Sequence, residues 1–166
     1  LNKQTQSLIT SLVQESDQEL SIANALWPVN GFTPNAPYAE QMQTFYRSTI
    51  GEGSVDVINK WASDNTNDKI PTIIGSMPED MRLIITSALY FNGTWKYEFD
   101  TQNTQPRTFV DAQSSSYDTP TMRLDAEMKY YEGDGVQAVV LPYGKDERFE
   151  MLIVLPDDMN SYLRDL

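Results

Sequence analysis

The sequence predicts an α+β fold. Helix-period patterns occupy its first part, strand-like runs fill the chain from Arg82 onward, and the two do not alternate as βαβ units would. A hydrophobic content of 40% with 22% charged residues belongs to a globular domain with a real core.

The elements follow in order. Leu8, Ile9, Leu12 and Val13 repeat at helical spacing, which predicts a helix over Leu1 to Glu15 ending at Ser16-Asp17. "LSIANALWPV", Leu20 to Val29, reads as a strand that Pro28 stops. Pro34 and Pro37 mark a loop and then the first turn of a second helix, with Tyr38, Met42, Phe45 and Tyr46 on one face. A third helix spans Val55 to Asn65, with Val55, Ile58, Trp61 and Ala62 inward. Leu83 to Phe91 is an almost unbroken apolar run with the small residues Thr86, Ser87 and Ala88 at its centre, a strand buried on both faces. A short strand near Arg107 to Val110 precedes the polar turn "DAQSSSYD". Met128 to Tyr131 and Val136 to Leu141 flank "EGDG" as a hairpin, and Tyr143 to Arg148 is a further turn. Phe149 to Leu155, "FEMLIVL", reads as a second strand buried on both faces, stopped by Pro156. No internal repeat is visible.

Charge and composition remove whole classes of function. Acidic residues number 24 and basic residues 12, a net charge of −12 that repels nucleic acid and anionic membranes. No apolar run approaches the roughly 20 residues of a bilayer span, and no signal peptide is visible at the N-terminus. With no cysteine and no histidine, the chain holds no thiol nucleophile, disulfide, Ser-His-Asp triad or His- or Cys-ligated zinc. Neither a cofactor nor a metal is expected.

Several motifs have an ordinary structural reading. Gly51-Glu52-Gly53 and Gly133-Asp134-Gly135 lack the third glycine of a dinucleotide site and read as turns that use glycine's freedom in φ. Asp146, Glu147, Asp157 and Asp158 lack the alternating oxygens of a calcium loop and read as solvated turn charges. Asn92-Gly93-Thr94 fits the N-glycosylation sequon, but its apolar neighbours favour a tight Asn-Gly turn. Trp27, Trp61 and Trp95 lie on apolar-periodic segments and read as core residues rather than a sugar-stacking platform.

Five stretches, in order, resemble the serpin (serine protease inhibitor) superfamily in a bacterial-looking form. "LSIANALW" is similar to strand 2 of the family's sheet A, and "INKWASDNTNDKI" to its helix F motif. "SALYFNGTWKYEFDTQNTQPRTF" is similar to strand 3 of sheet A and the segment after it. "TPTMRLDAEMKYYEGDGVQAVVLPYG" resembles the VPMM segment and the strands that follow, and "FEMLIVLPDD" resembles strand 3 of sheet B. The resemblance implies parts of sheets A, B and C with helices D, E and F. It makes residues 1–166 a single partial serpin domain without the N-terminal helices, hinge, reactive-centre loop or C-terminal strands.

The function the resemblance implies is inhibition of a serine-type, or cysteine-type, endopeptidase by suicide-substrate insertion of a cleaved loop beside strand 3 of sheet A. No stretch here matches that loop, so the chain alone is not expected to inhibit. The alternatives are a non-inhibitory serpin acting as carrier or chaperone and, further off, a carbohydrate-binding module. The resemblance places Asn24 and Ser87 at the shutter, Trp95 at the breach, and Ile58 and Trp61 in the packing of helix F. It also shows departures. Ser87 replaces the usual Asn, Arg123 replaces the second Met of VPMM, and the link from Ile50 to Val55 is short enough to suggest a lost strand or missing residues. Expected partners are a target protease for the full-length protein, and a complementary serpin fragment or a second copy for this chain. The resemblance favours an extracellular or periplasmic setting.

Overall fold

The computed structural model describes residues 1–13 and 17–164, so the predicted helix end at Glu15 and Ser16 lies outside the described residues. Internal packing divides the chain into two units, Leu1–Asn92 and Gly93–Leu166.

The first unit runs α1 (Asn2–Val13), β1 (Glu19–Pro28), α2 (Ala36–Tyr46), β2 (Thr49–Ile50), α3 (Val55–Asn65) and β3 (Leu83–Asn92). Its sheet has the order β2-β1-β3. Strand β3 runs antiparallel to β1 in unbroken register from Glu19↔Asn92 to Pro28↔Leu83. Strand β2 lies parallel to β1 through Ala25↔Thr49 and Leu26↔Ile50. Two residues of strand, Thr49 and Ile50, thus stand just before the short link, and the link itself, 51–54, carries none. Pro28 belongs to the last strand pair rather than stopping the strand before it.

Alternation gives the β1–β3 ladder two faces. One carries Ala25, Trp27, Ile84 and Thr86. Ala25, Trp27 and Ile58 of α3 form its core cluster, with Trp61, Ile74, Met77 and Ile84 around them. Helix α3 is set locally: the Ser54 hydroxyl caps it by accepting from the Val57 N–H at 3.3 Å, and Asp56 sits in the first turn, where the helix dipole favours negative charge. The other face carries Ile22, Asn24, Leu26, Ile85, Ser87 and Leu89. Leu26 is fully buried, whereas Ile85 is 58% and Leu89 61% exposed. The prediction of a β3 covered on both faces is corrected: the sequence supplies two apolar alternations, but the described residues cover only one of them on β3. Helix α1 departs similarly, since Ile9 is buried while Leu8 and Val13 are exposed.

The second unit is mainly strand. A 3₁₀ turn at Thr101–Asn103 leads into β4 (Gln105–Val110), which pairs antiparallel with β5 (Ser116–Thr121). Strands β6 (Lys129–Gly133), β7 (Val136–Pro142) and β8 (Glu150–Pro156) form an antiparallel sheet in that order, followed by a short α4 (Met159–Arg164). The polar stretch "DAQSSSYD" is only partly a turn, because Ser116, Tyr117 and Asp118 already belong to β5. The tight part is held by Asp111, whose carboxylate accepts from the Gln113 and Ser115 N–H groups at 2.9 Å. Pro106 faces Pro120 across the hairpin. Asp111 N–H donates to Ser115 C=O at 3.0 Å, so by alternation Pro106/Pro120 is a pair without mutual ladder bonds. The missing proline N–H groups therefore cost this hairpin nothing. Strand β8 is not buried on both faces as predicted: Leu152 and Leu155 are exposed.

Two turn readings separate. Asp134 (φ 52°) and Gly135 (φ 72°) have the paired positive φ of a tight hairpin, as "EGDG" predicts. Gly51 and Gly53 do not adopt positive φ. Gly53 is required by space: a Cβ there would lie 2.7 Å from Trp27 Cβ and 3.3 Å from Ile58 Cδ1. Likewise neither Asn92 nor Gly93 has the positive φ of an Asn-Gly turn. Asn92 instead closes β3 and is exposed, which corrects the buried-turn reading.

Candidate functional site

The candidate site is the outer side of β3 and the residues that brace it. Val29 N–H donates to Arg82 C=O at 3.0 Å, which fixes the alternation of the whole β1–β3 ladder. Counting along it, the backbone groups of Ile84, Thr86, Ala88, Tyr90 and Asn92 turn toward β1. Those of Leu83, Ile85, Ser87, Leu89 and Phe91 turn toward the outer edge. No strand pairs with that edge among the described residues.

Asn24 and Ser87 face each other directly. The same alternation makes them a pair without ladder bonds, the closer-spaced kind. The half-buried Asn24 amide is committed elsewhere, donating to Tyr46 C=O at the end of α2 at 2.9 Å. Ser87 is exposed, and no hydrogen bond joins the two side chains among the described residues. On the opposite face, Trp27 Nε1 donates to the Thr86 hydroxyl at 2.8 Å. This places a side-chain bond between the two strands where both are otherwise lined with small residues.

Ile58 and Trp61 of α3 pack in the core cluster of this sheet. Ile58 is fully buried, and the Trp61 ring meets Trp27 edge-on with centroids 5.8 Å apart. Two residues of the same segment went unrecognised in the sequence. Asn59 Oδ1 accepts from Ile73 and Ile74 N–H at 2.8 and 3.0 Å, while its Nδ2 donates to Ile74 C=O at 2.9 Å. Thr66, 1% exposed, donates to Ala62 C=O at 2.7 Å and accepts from Ile70 N–H at 3.0 Å. Both tie the segment after α3 back onto the helix. The legible signal was a polar residue beside each inward apolar position of "INKWASDNT".

Trp95 belongs to the second unit. Its ring stacks flat on Tyr143, with centroids 4.3 Å apart and planes 16° from parallel. Backbone bonds on both sides hold this segment: Lys96 N–H to Pro142 C=O at 2.9 Å and Gly144 N–H to Thr94 C=O at 2.8 Å. Burial raises the Tyr143 phenol above its ordinary value of 10.0. Lys96 bonds to Glu147, and that bond raises its ammonium above 10.5. Each of the three tryptophans is thus engaged with other protein groups of its own unit. No group of three or more potential metal ligands occurs among the described residues. No helix among them is long and apolar enough to cross a membrane.

A family model described as Serpin (serine protease inhibitor) matches residues 1–166. The chain is 33% identical over 171 residues to a protein of Methanosarcina acetivorans named "Uncharacterized serpin-like protein", covering 96% of this chain and 40% of that protein. The native-state structure of the thermophilic serpin tengpin superposes with a TM-score of 0.89 at 23% identity, covering 99% of this chain and 44% of that one. Emu ovalbumin superposes at 0.88 and 21% identity, with 99% and 46% covered. The chain spans less than half the length of each.

Proposed function

The chain belongs to the serpin family, and on that premise we propose that it is the receiving portion of a serine- or cysteine-type endopeptidase inhibitor, the part beside which a cleaved reactive-centre loop inserts. The observation that carries this reading is the outer edge of β3, with which no strand pairs among the described residues, with Ser87 at its middle and small side chains on the face under α3. An incoming strand would find N–H and C=O groups from Leu83 to Leu89 already aligned. In this reading residues 1–166 are part of one serpin domain. Asn24 and Ser87 mark where strands part, Ile58 and Trp61 seat α3 on the sheet, and Trp95 is a fixed anchor.

The test uses the full-length protein. Mixed with a panel of serine and cysteine proteases, it should give a covalent complex that survives denaturing electrophoresis, and loop cleavage should raise its unfolding temperature. Trp95→Ala should lower the unfolding midpoint and raise the stoichiometry of inhibition. Cleavage with neither a complex nor a stability gain would overturn the inhibitory reading. That result would support a non-inhibitory carrier or chaperone, a second reading favoured by Ser87, whose hydroxyl makes no bond to Asn24.

A further inference from the structure

The exposure of Asn92 gives its sequon room that a buried turn would deny. Asn92-Gly93-Thr94 is the only Asn-X-Ser/Thr triplet in the sequence, and neither Gly93 nor the following Trp95 is a proline. Asn92 is exposed at the end of β3. Its rung with Glu19 is a ladder-bonded pair, so the backbone is held and the side chain alone is at liberty. The amide donates to the Glu19 carboxylate at a long 3.5 Å. An amide carries two N–H groups, so giving one up to a sugar leaves the other for Glu19.

The surroundings of the amide suit a sugar. Strand alternation puts Tyr90, two residues earlier, on the same face as Asn92. Tyr90 is half-buried, and the residue across from it on β1 is the small Ser21. Its ring is therefore an apolar surface beside the amide with no bulky side chain opposite. Glu19 flanks the amide from β1, its other oxygen accepting from Asn67 Nδ2 at 3.2 Å. A pyranose offers a C–H face that stacks on an aromatic ring and hydroxyls that donate to a carboxylate.

We propose that Asn92 is an N-glycosylation site whose first sugar rests on Tyr90. The co-reactant is an oligosaccharide carried on a lipid-linked phosphate. Transfer joins Asn92 Nδ2 to the anomeric carbon of the first sugar. The bond from that carbon to the donor phosphate oxygen breaks, the phosphate keeps the electron pair, and the amide gives up one proton. The transferase reads Thr94 on the extended chain, so what the fold supplies is room for the product. The glycan stands on the face of the sheet and leaves the outer-edge groups of β3 from Leu83 to Leu89 clear.

The test uses the full-length protein purified from the cells that make it. Peptide mapping by mass spectrometry should find a hexose or N-acetylhexosamine chain, located by fragmentation on Asn92. Asn92→Gln and Thr94→Ala should each abolish it, and Thr94→Ser should keep it. Asn92→Gln should lower the unfolding midpoint of the glycosylated wild type by more than that of glycosylated Tyr90→Ala. That difference should vanish when the same four proteins are made in a bacterial cytoplasm without the transferase. A bare Asn92 in the native protein, or an equal fall of the midpoint with and without the Tyr90 ring, would overturn the proposal.

Discussion

Gly53 and Asn59 show how much one position decides here. A methyl group at Gly53 would press on the Trp27 backbone-side carbon, an atom that cannot swing away. Gly53→Ala should lower stability by about 1–3 kcal/mol, as overpacking does. Gly51→Ala, whose added carbon would meet only the Trp27 ring at 3.5 Å, should be tolerated. Denaturant midpoints of the two variants provide the comparison, and equal midpoints would refute the packing argument. Asn59 satisfies two backbone donors and one acceptor with one amide. Asn59→Ala should cost about 1–3 kcal/mol through groups left unpaired. It should also expose the segment 66–82 to limited proteolysis sooner than wild type.

Strands β3 and β8 pose a problem of their own at the level of elements. Each is apolar at both alternations, yet Ile85, Leu89, Leu152 and Leu155 remain exposed. Exposed apolar strands with free edges recruit partners. The 166-residue chain produced alone should therefore self-associate at micromolar concentration in sedimentation velocity. Replacing both Ile85 and Leu89 with Lys should shift it toward monomer. A wild-type chain that sediments as a folded monomer would count against this account. The β4–β5 hairpin is a contrast: both of its strands are edges, and Pro106 and Pro120 turn their N–H-less nitrogens outward, which blunts each edge at the same level.

Across the whole molecule, the resolved titration shifts point one way. Lys60, Lys96 and Lys129 are raised by hydrogen bonds to Asp64, Glu147 and Glu150, and Tyr143 is raised by burial. In each case the folded value exceeds the unfolded one. Their contribution is complete below about pH 10 and is lost as pH rises through the folded values. Stability attributable to these groups should stay flat through neutral pH and fall above about pH 10. Tyr143→Phe, which keeps the stack on Trp95, should flatten part of that alkaline fall; an unchanged pH profile would remove Tyr143 from the explanation. The exposed lysine pairs Lys60–Asp64 and Lys129–Glu150 should contribute little, since surface ion pairs are solvent-screened.

The sequence by itself determined the α+β class, the position of each long element and the family, because periodicity and motif order are local properties of the chain. Helix α3, with its Ser54 cap and inward Ile58 and Ala62, was legible for that reason, as was the "EGDG" turn. Only the tertiary structure decided which apolar face of β3 is covered, why Gly53 is a glycine, and that Asn92 is an exposed strand end rather than a turn. Those facts depend on neighbours distant in sequence: Trp27 for Gly53, Glu19 for Asn92, and for β3 a second layer absent among the described residues. A hydrophobic pattern records that a side chain seeks cover, while the cover itself is supplied by other parts of the fold.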